Sequence, residues 1–107
     1  MKADALKGQL ELVVLATLRT GPLHGYAIIK DIRGRTDGEL EVLEGTLYPA
    51  LHRLESLGLV RSRWATGAGR RRRVYELTKK GRGALVAQES EWRSFARTVD
   101  LILGGAR

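Results

Sequence analysis

At 107 residues, the chain is long enough for one compact domain and one long appended element. Hydrophobic residues make up 43% of it and charged residues 29%, a balance typical of a folded soluble protein rather than a disordered one. Because the chain has no cysteine and only two histidines, disulfides and thiolate chemistry are excluded and a histidine-based metal site is poorly supplied.

Two helices are predicted in the first part of the chain. Apolar residues recur there at the three- and four-residue steps of one helical face, namely Leu6, Leu10, Val13, Val14 and Leu18. Gly21 and Pro22 follow in the order that commonly ends a helix. A second, shorter helix is predicted from about His24 to Arg33. Its inward candidates are Tyr26, Ile28, Ile29 and Ile32.

The third predicted helix has the clearest start and end. Thr46 is suited to the N-cap, which would place Pro49 in the first turn, where its missing N–H is tolerated. Gly58 would end the helix. One face is apolar and consists of Leu47, Leu51, Leu54 and Leu57. The opposite face is polar and presents Pro49, His52, Arg53 and Ser56, with Tyr48 at its flank.

After Gly58 the apolar period changes from 3.6 to 2, which is typical of strands. Residues 60–64 alternate between basic and less polar side chains, residues 66–69 form a glycine-rich turn, and residues 73–77 return as the second strand of a hairpin. Thr78 then caps a fourth helix that runs to about Leu103.

The positive charge is concentrated in one part of the chain. Nineteen Lys and Arg against twelve Asp and Glu give a net charge of +7. Residues 61–82, called the basic segment below, hold nine bases and one acid, whereas the rest of the chain sums to −1. Because nucleic acids attract proteins first through their phosphates, this clustering indicates a surface that contacts a nucleic-acid backbone. A solvated charged face is the simpler alternative, and four consecutive arginines beside a turn disfavour it.

The order of three helices, a hairpin and a long helix is typical of a winged helix-turn-helix. We therefore predict a mainly α fold with a small β-hairpin, in which residues 1–78 form a DNA-binding domain and residues 79–107 a C-terminal dimerisation helix. The third helix would enter the major groove of double-stranded DNA, about 12 Å wide, by its polar face. The hairpin would contact phosphates or the adjacent minor groove.

The candidates for DNA contact lie on the third helix and on the hairpin: Thr46, Tyr48, Pro49, His52, Arg53, Arg70, Arg71, Arg72 and Arg73. Tyr48 is equally suited to a half-buried core position. Arg53 is suited either to phosphate or guanine, or to an ion pair with an acid on a neighbouring helix. Strand alternation puts Arg71 and Arg73 on one face and Arg72 on the other, so these arginines have different roles.

The fourth helix carries the candidate homodimer interface. An isolated amphipathic helix of about 25 residues has to bury its apolar face, and a second copy of the chain would cover it. The candidate interface residues are Leu6, Leu10, Leu85, Trp92, Phe95, Val99 and Ile102. Packing within one chain explains Leu6 and Leu10 nearly as well.

Four segments carry more specific motifs: residues 21–26 (Gly-Pro-Leu-His-Gly-Tyr), 44–51 (Glu-Gly-Thr-Leu-Tyr-Pro-Ala-Leu), 53–60 and 73–81. Over essentially the whole chain, they resemble the PadR family of bacterial transcriptional regulators, in its short subfamily with a single C-terminal helix. The resemblance implies a dimeric DNA-binding repressor, often released by a small aromatic or drug-like effector. Trp92 and Phe95 are then candidates for effector binding, although such aromatics are more often only packing. The chain departs from the family pattern in an acidic approach to the third helix, Glu39, Glu41 and Glu44.

The leading hypothesis is a cytoplasmic, homodimeric, sequence-specific DNA-binding repressor that acts on a pseudo-palindromic operator. The alternative is a winged-helix protein-interaction module without specific DNA binding, which the charge of the basic segment disfavours. No enzyme, cofactor or metal is expected, because no carboxylate pair, cysteine or phosphate-binding glycine loop stands at chemical spacing. No apolar run approaches the roughly 18 residues of a membrane span and no secretory pattern opens the chain, so no membrane partner is expected.

Overall fold

The computed structural model describes Met1, Leu6 and residues 8–105. Its elements are α1 (Leu10–Thr17), a 3-10 turn (Leu18–Thr20), β1 (Leu23–His24), α2 (Gly25–Arg35), α3 (Glu44–Ser56), β2 (Val60–Gly67), β3 (Arg70–Leu77) and α4 (Lys79–Leu103). The strands form an antiparallel sheet in the order β1-β3-β2. The predicted winged helix-turn-helix with a long C-terminal helix is confirmed.

One hydrophobic core joins the helices and the sheet. The predicted apolar faces meet there, and its fully buried side chains include Val14, Leu15, Ile28, Leu47, Leu51 and Leu54. Leu85 of α4 is 3% exposed and belongs to the same core. Leu6 and Leu10 are partly buried and pack against it, as expected of packing within one chain. The start of α4 is therefore built into the winged domain.

The start of α2 differs from the prediction in two respects. The helix begins at Gly25, and His24 is its N-cap. His24 also pairs with Val74 in β1, a two-residue strand that is too short for alternation to reveal. Tyr26, predicted to point inward, is 57% exposed, because two residues of helix place it about 200° around the axis from the buried Ile28.

α3 begins earlier than predicted, and its N-cap is Leu43 rather than Thr46. Glu44 lies in the first turn, where a carboxylate complements the positive end of the helix dipole. Pro49 consequently lies in the second turn, where its missing N–H leaves the Gly45 carbonyl without a helical donor. Gly45 is exposed, so water can hydrogen-bond to that carbonyl.

The end of α3 leads directly into the hairpin. Because the helix ends at Ser56, Leu57 is its C-cap and is 50% exposed, which corrects its predicted place on the buried face. Gly58 has a φ of +76°, the left-handed conformation that commonly follows a helix. Leu59 is buried, and its carbonyl accepts a hydrogen bond from the Thr78 N–H at 3.1 Å.

The hairpin of β2 and β3 is longer than predicted. β3 starts at Arg70 rather than Arg73, and the turn consists of Ala68 and Gly69, with φ of +53° and +74°. Positive φ at both central residues is the signature of a type I′ turn, whose twist fits two paired strands. All four consecutive arginines therefore lie on one strand.

α4 has the predicted cap and length. The Gly81 N–H donates to Thr78 Oγ at 2.9 Å, and the helix runs for 25 residues to Leu103. Arg93 and Arg19 both donate hydrogen bonds to the Glu89 carboxylate and lower its pKa, which connects α4 with the turn after α1. In the described part of the chain, none of the helices combines the length and apolar character needed to cross a bilayer.

His24 caps α2 from within the sheet and lies beside Arg72 of the basic segment. The Ala27 N–H donates to His24 Nδ1 at 3.2 Å, and Arg72 Nη1 lies 2.7 Å from His24 Nε2. A neutral imidazole has one acceptor nitrogen and an imidazolium has none, so protonation removes the cap. Partial burial lowers the pKa of His24, and the charges of Arg72 and Lys30 lower it further.

Replacing Gly81 by alanine is expected to destabilise the fold by about 2–4 kcal/mol, measured by chemical denaturation. A Cβ at Gly81 would lie 1.9 Å from the carbonyl oxygen of Leu59, a backbone atom of the core. Gly83→Ala is the matched control, since nothing lies within 4 Å of its Cβ. Alanine there should stabilise the helix by up to about 1 kcal/mol. A Gly81→Ala protein as stable as the wild type would contradict the close approach.

The stability of the wild type is expected to fall as the pH falls below 6.5, the ordinary pKa of histidine. Because the folded pKa of His24 is lower than this value, the unfolded chain binds protons more readily in that window. His24→Asn retains a side-chain acceptor at the N-cap but does not titrate, so its free energy of unfolding should fall less between about pH 7.5 and about pH 5.5. Identical pH profiles of urea unfolding for the two proteins would contradict this role.

Candidate nucleic-acid interface

The outer face of α3 presents the side chains predicted to contact DNA. Tyr48, Pro49, His52 and Arg53 are exposed, and Thr46 is half-buried. The inner face is held in the core by Leu47, Ala50, Leu51 and Leu54. Because the inner face anchors the helix, the outer face is a rigid surface that is accessible to a partner.

Arg53 lies on this outer face and forms an ion pair with α1. Its Nε donates a hydrogen bond to Glu11 Oε2, and its side chain remains 55% exposed. Of the two alternatives left open by the sequence, the structure has the ion pair with a neighbouring helix. Exposed ion pairs are weak, so this pair orients the guanidinium without removing it from solvent.

Tyr48 lies across the start of α2. A Cβ at Gly25 would be 2.2 Å from the Tyr48 hydroxyl oxygen, so the phenol occupies space that only glycine leaves free. Tyr48 is 37% exposed, which places it at the rim of the core. The close contact between Gly25 and Tyr48 therefore sets the distance at which α3 packs against α2.

The arginines of β3 divide between the two faces of the hairpin, as the alternation predicted. Arg71 and Arg73 lie over the indole ring of Trp64, with their guanidinium carbons 4.6 and 5.2 Å from its centroid. Arg73 is the strand partner of Trp64, and Arg71 is the next residue on the same face. Arg72 instead lies against His24, and all four arginines are exposed.

A chain of hydrogen bonds connects the hairpin with α3. Arg73 Nε donates to Ser62 Oγ at 3.0 Å, and Ser62 Oγ donates to Glu55 Oε2 at 2.7 Å. The guanidinium of Arg73 is thus positioned by the Trp64 ring and by Ser62 together. These two hydrogen bonds connect Arg73 of the hairpin with α3, the helix that carries the outer polar face.

These elements enclose a cleft of about 530 Å³ between α2, α3 and the hairpin. Its lining is aromatic and cationic and includes Tyr26, Tyr48, Trp64, Tyr75, Arg71 and Arg73. Burial raises the pKa of the Tyr75 phenol, which keeps it neutral. Guanidinium groups bind phosphate, and aromatic rings offer flat faces to sugars and bases, so the cleft is chemically suited to a nucleic-acid backbone.

Tyr26 and Trp64 were missed as site residues by the sequence analysis. Tyr26 was assigned to the core of the second helix, and Trp64 only to the first strand of the hairpin. The available signal for Trp64 was its place in an alternation opposite a run of arginines. The register that pairs it with Arg73 depends on the turn, which the sequence pattern places over residues 66–69 and which consists of Ala68 and Gly69 alone.

The predicted interface residues of α4 differ in exposure. Trp92, Phe95 and Ile102 are 42%, 59% and 82% exposed, and the first two rings lie 6.2 Å apart. Val99 is half-buried. Leu85 is enclosed by the core of its own chain, so its side chain is not accessible to a second copy.

A second cleft, of about 360 Å³, lies where residues before α1 and α1 itself face α4. Trp92 lines it together with Glu11 and Glu91. Phe95 lies outside the described lining of this cleft. Of these two neighbouring rings, Trp92 therefore borders the cavity and Phe95 lies on the exposed surface beside it.

Known proteins resemble this chain in sequence and in fold. The model of the transcriptional regulator PadR-like family matches residues 14–87. A transcriptional regulator of Mycobacterium tuberculosis is 48% identical over 64 residues, which are 60% of this chain and 57% of that protein. The structure of a transcriptional regulator from Clostridium thermocellum has a TM-score of 0.83 and 31% identity, covering 91% of this chain and 95% of that one. Bacillus subtilis PadR, solved in complex with operator DNA, has a TM-score of 0.67 and 25% identity, covering 74% of this chain and 45% of that one.

The matched segment runs from α1 to the first turns of α4. It includes the residues that line the cleft between α2, α3 and the hairpin. The chain spans little more than half of the mycobacterial regulator and less than half of the Bacillus subtilis protein, but nearly all of the Clostridium thermocellum structure. The matching family is one of transcriptional regulators rather than enzymes. Because its model matches most of the chain and its fold is the one described above, the chain belongs to the PadR-like family of transcriptional regulators.

Proposed function

We propose that this chain is a homodimeric transcriptional repressor that binds a pseudo-palindromic operator in double-stranded DNA. The observation that carries the proposal is the meeting of the basic segment and the outer face of α3 at one aromatic and cationic cleft. Net charge of +8 in the basic segment and −1 elsewhere directs this face toward a polyanion. The operator complex of the Bacillus subtilis relative supports the same partner.

In this proposal α3 enters the major groove, which is about 12 Å wide and admits one helix. Tyr48, Pro49 and His52 then lie toward the base edges, with Thr46 at the entrance to the groove. Arg53 reaches phosphate or guanine by leaving its half-buried partner Glu11. The hairpin arginines, Arg70 to Arg73, bind phosphates on either side, which positions α3 without selecting sequence.

The dimer proposal rests on the exposed apolar side chains of α4. Trp92, Phe95 and Ile102 leave a large apolar surface exposed on a 25-residue helix, and a second copy would bury it. Residues 1–78 then act as the DNA-binding domain and residues 79–107 as the dimerisation element, with Leu85 joining the two. A two-fold dimer presents its two α3 helices about one helical turn of DNA apart or a multiple of it, which requires a pseudo-palindromic site.

We further propose that a small effector releases the protein from DNA, and the position of Trp92 supports this. The indole borders a cleft with two carboxylates, Glu11 and Glu91, so a planar aromatic ligand would stack there and a positive charge on it would be favoured. Phe95 lies close enough to Trp92 to extend the aromatic surface at a dimer interface.

Arg71→Ala combined with Arg73→Ala is expected to weaken binding to every duplex, whatever its sequence. It should also reduce the slope of log K against log salt by about 2, because each lost phosphate contact removes about 0.9 from that slope. Fluorescence anisotropy of labelled duplexes at a series of salt concentrations measures both quantities.

The matched control is Arg93→Ala combined with Arg97→Ala, which removes the same charge from an exposed face of α4 and should leave the slope unchanged. An unaltered slope in the hairpin variant would refute the phosphate contacts of these two arginines. A wild type without salt-dependent duplex binding would refute the proposed function and favour the protein-interaction module.

Trp92→Ala combined with Val99→Asp is expected to yield monomers, because the change removes an apolar ring and places a carboxylate in the apolar contact. Sedimentation equilibrium gives the mass in solution. Val86→Asp is the control: Val86 is 67% exposed beside Glu89, Arg93 and Arg97, on a different face of α4, and should leave dimers intact. Dimers in the double variant would refute the proposed interface.

A further inference from the structure

Trp64 is a large aromatic residue that the core does not use. It lies within β2, is 54% exposed, and shares its face of the hairpin with Arg71 and Arg73. Burial cannot explain a tryptophan at such a position. The contacts that the structure gives its ring are with two guanidinium groups, at 4.6 and 5.2 Å from the centroid.

The arrangement brings two like charges onto one ring. Residues two apart on a strand are about 7 Å apart, so the two guanidinium groups repel each other unless an anion lies near them. A free arginine also loses much rotamer freedom when it binds a phosphate. The negative face of the indole attracts both groups, which offsets the repulsion and orders the side chains before a phosphate arrives.

The two arginines depend on the ring to different degrees. Arg73 is also held by its hydrogen bond to Ser62. Within the described residues, the side chain of Arg71 makes no hydrogen bond or ion pair, so the Trp64 ring is the contact that orients it. Arg71 lies closer to the tip of the hairpin, where the chain has the least support from the rest of the fold.

We propose that Trp64 is a positioning residue for DNA binding, whose indole holds Arg71 and Arg73 in place for contact with neighbouring phosphates. The inference rests on the proposed function, and it gives Trp64 an effect that acts through the two arginines rather than through contact with a base. Affinity, and not the number of phosphates contacted, is therefore the quantity that Trp64 controls.

Two substitutions that leave the net charge of the protein unchanged test this role. Trp64→Leu keeps apolar bulk but removes the aromatic face, and Trp64→Phe keeps an aromatic face. Since each exposed cation–π contact corresponds to about a two- to fivefold factor in an equilibrium constant, loss of both contacts in Trp64→Leu should lower duplex affinity by about four- to 25-fold. Trp64→Phe should retain most of the affinity, and both salt slopes should stay at the wild-type value. Wild-type affinity in Trp64→Leu would overturn the proposal.

A double-mutant cycle separates positioning from direct contact. In a protein that already carries Arg71→Ala and Arg73→Ala, Trp64→Leu should have no further effect on duplex affinity. An equal loss in both backgrounds would mean that Trp64 acts on DNA or on the fold by itself, and it would overturn the positioning role. Circular dichroism of each variant checks that the hairpin and helices are intact.

A measurement on the free protein makes the test independent of DNA. In NMR spectra, the side-chain protons of Arg71 and Arg73 should be shifted upfield by the indole ring current, and Trp64→Leu should abolish these shifts. If the wild type fails to bind duplex, the proposed function fails, and the shifts still decide whether Trp64 orders the arginines. Their absence in the wild type would overturn the inference.

Discussion

The approach of α4 to the end of α3 is the contact on which the arrangement of the molecule depends. Gly81 lies so close to the Leu59 carbonyl that no side chain fits between them, and the Thr78 N–H donates to the same carbonyl. Lys80 Nζ donates to the Leu57 carbonyl at 2.9 Å. A lysine is unfavourable at the start of its own helix, but here its charge is at the C-terminal end of α3, where a cation is favourable. One junction thus sets the directions of α3, the hairpin and α4.

The hairpin extends from this junction, and its charge is concentrated at the far end. Val60 pairs with Leu77 in the core, whereas Gly67 pairs with Arg70 at the tip. The base is therefore fixed by burial, and Arg71 and Arg73 farther out by local contacts, namely the Trp64 ring and the hydrogen bond of Arg73 to Ser62. This division suits a charged surface, because four adjacent arginines could not be buried without large desolvation costs.

Sequence periodicity predicted the elements that are defined by burial. It failed where the structure is set by contacts between residues that are distant in sequence. The inner face of α3 followed from the spacing of Leu47, Leu51 and Leu54, and the division of the β3 arginines followed from the period of a strand. β1 could not be predicted, because its two residues are held by pairing with β3 rather than by a pattern of their own. The partnership of Trp64 with the arginines required the register, which a type I′ turn sets through Ala68, a residue type that rarely signals positive φ.

One carboxylate connects the outer face of α3 with the cleft beside Trp92. Glu11 accepts a hydrogen bond from Arg53 on the outer face of α3, and its side chain also lines the cleft beside Trp92. A cation that enters this cleft therefore competes with Arg53 for the same charge. Conversely, drawing Arg53 away toward an anion leaves Glu11 more negative toward the cleft. Since such a dependence is reciprocal, under the proposed function a charge bound at either surface would change the free energy of binding at the other.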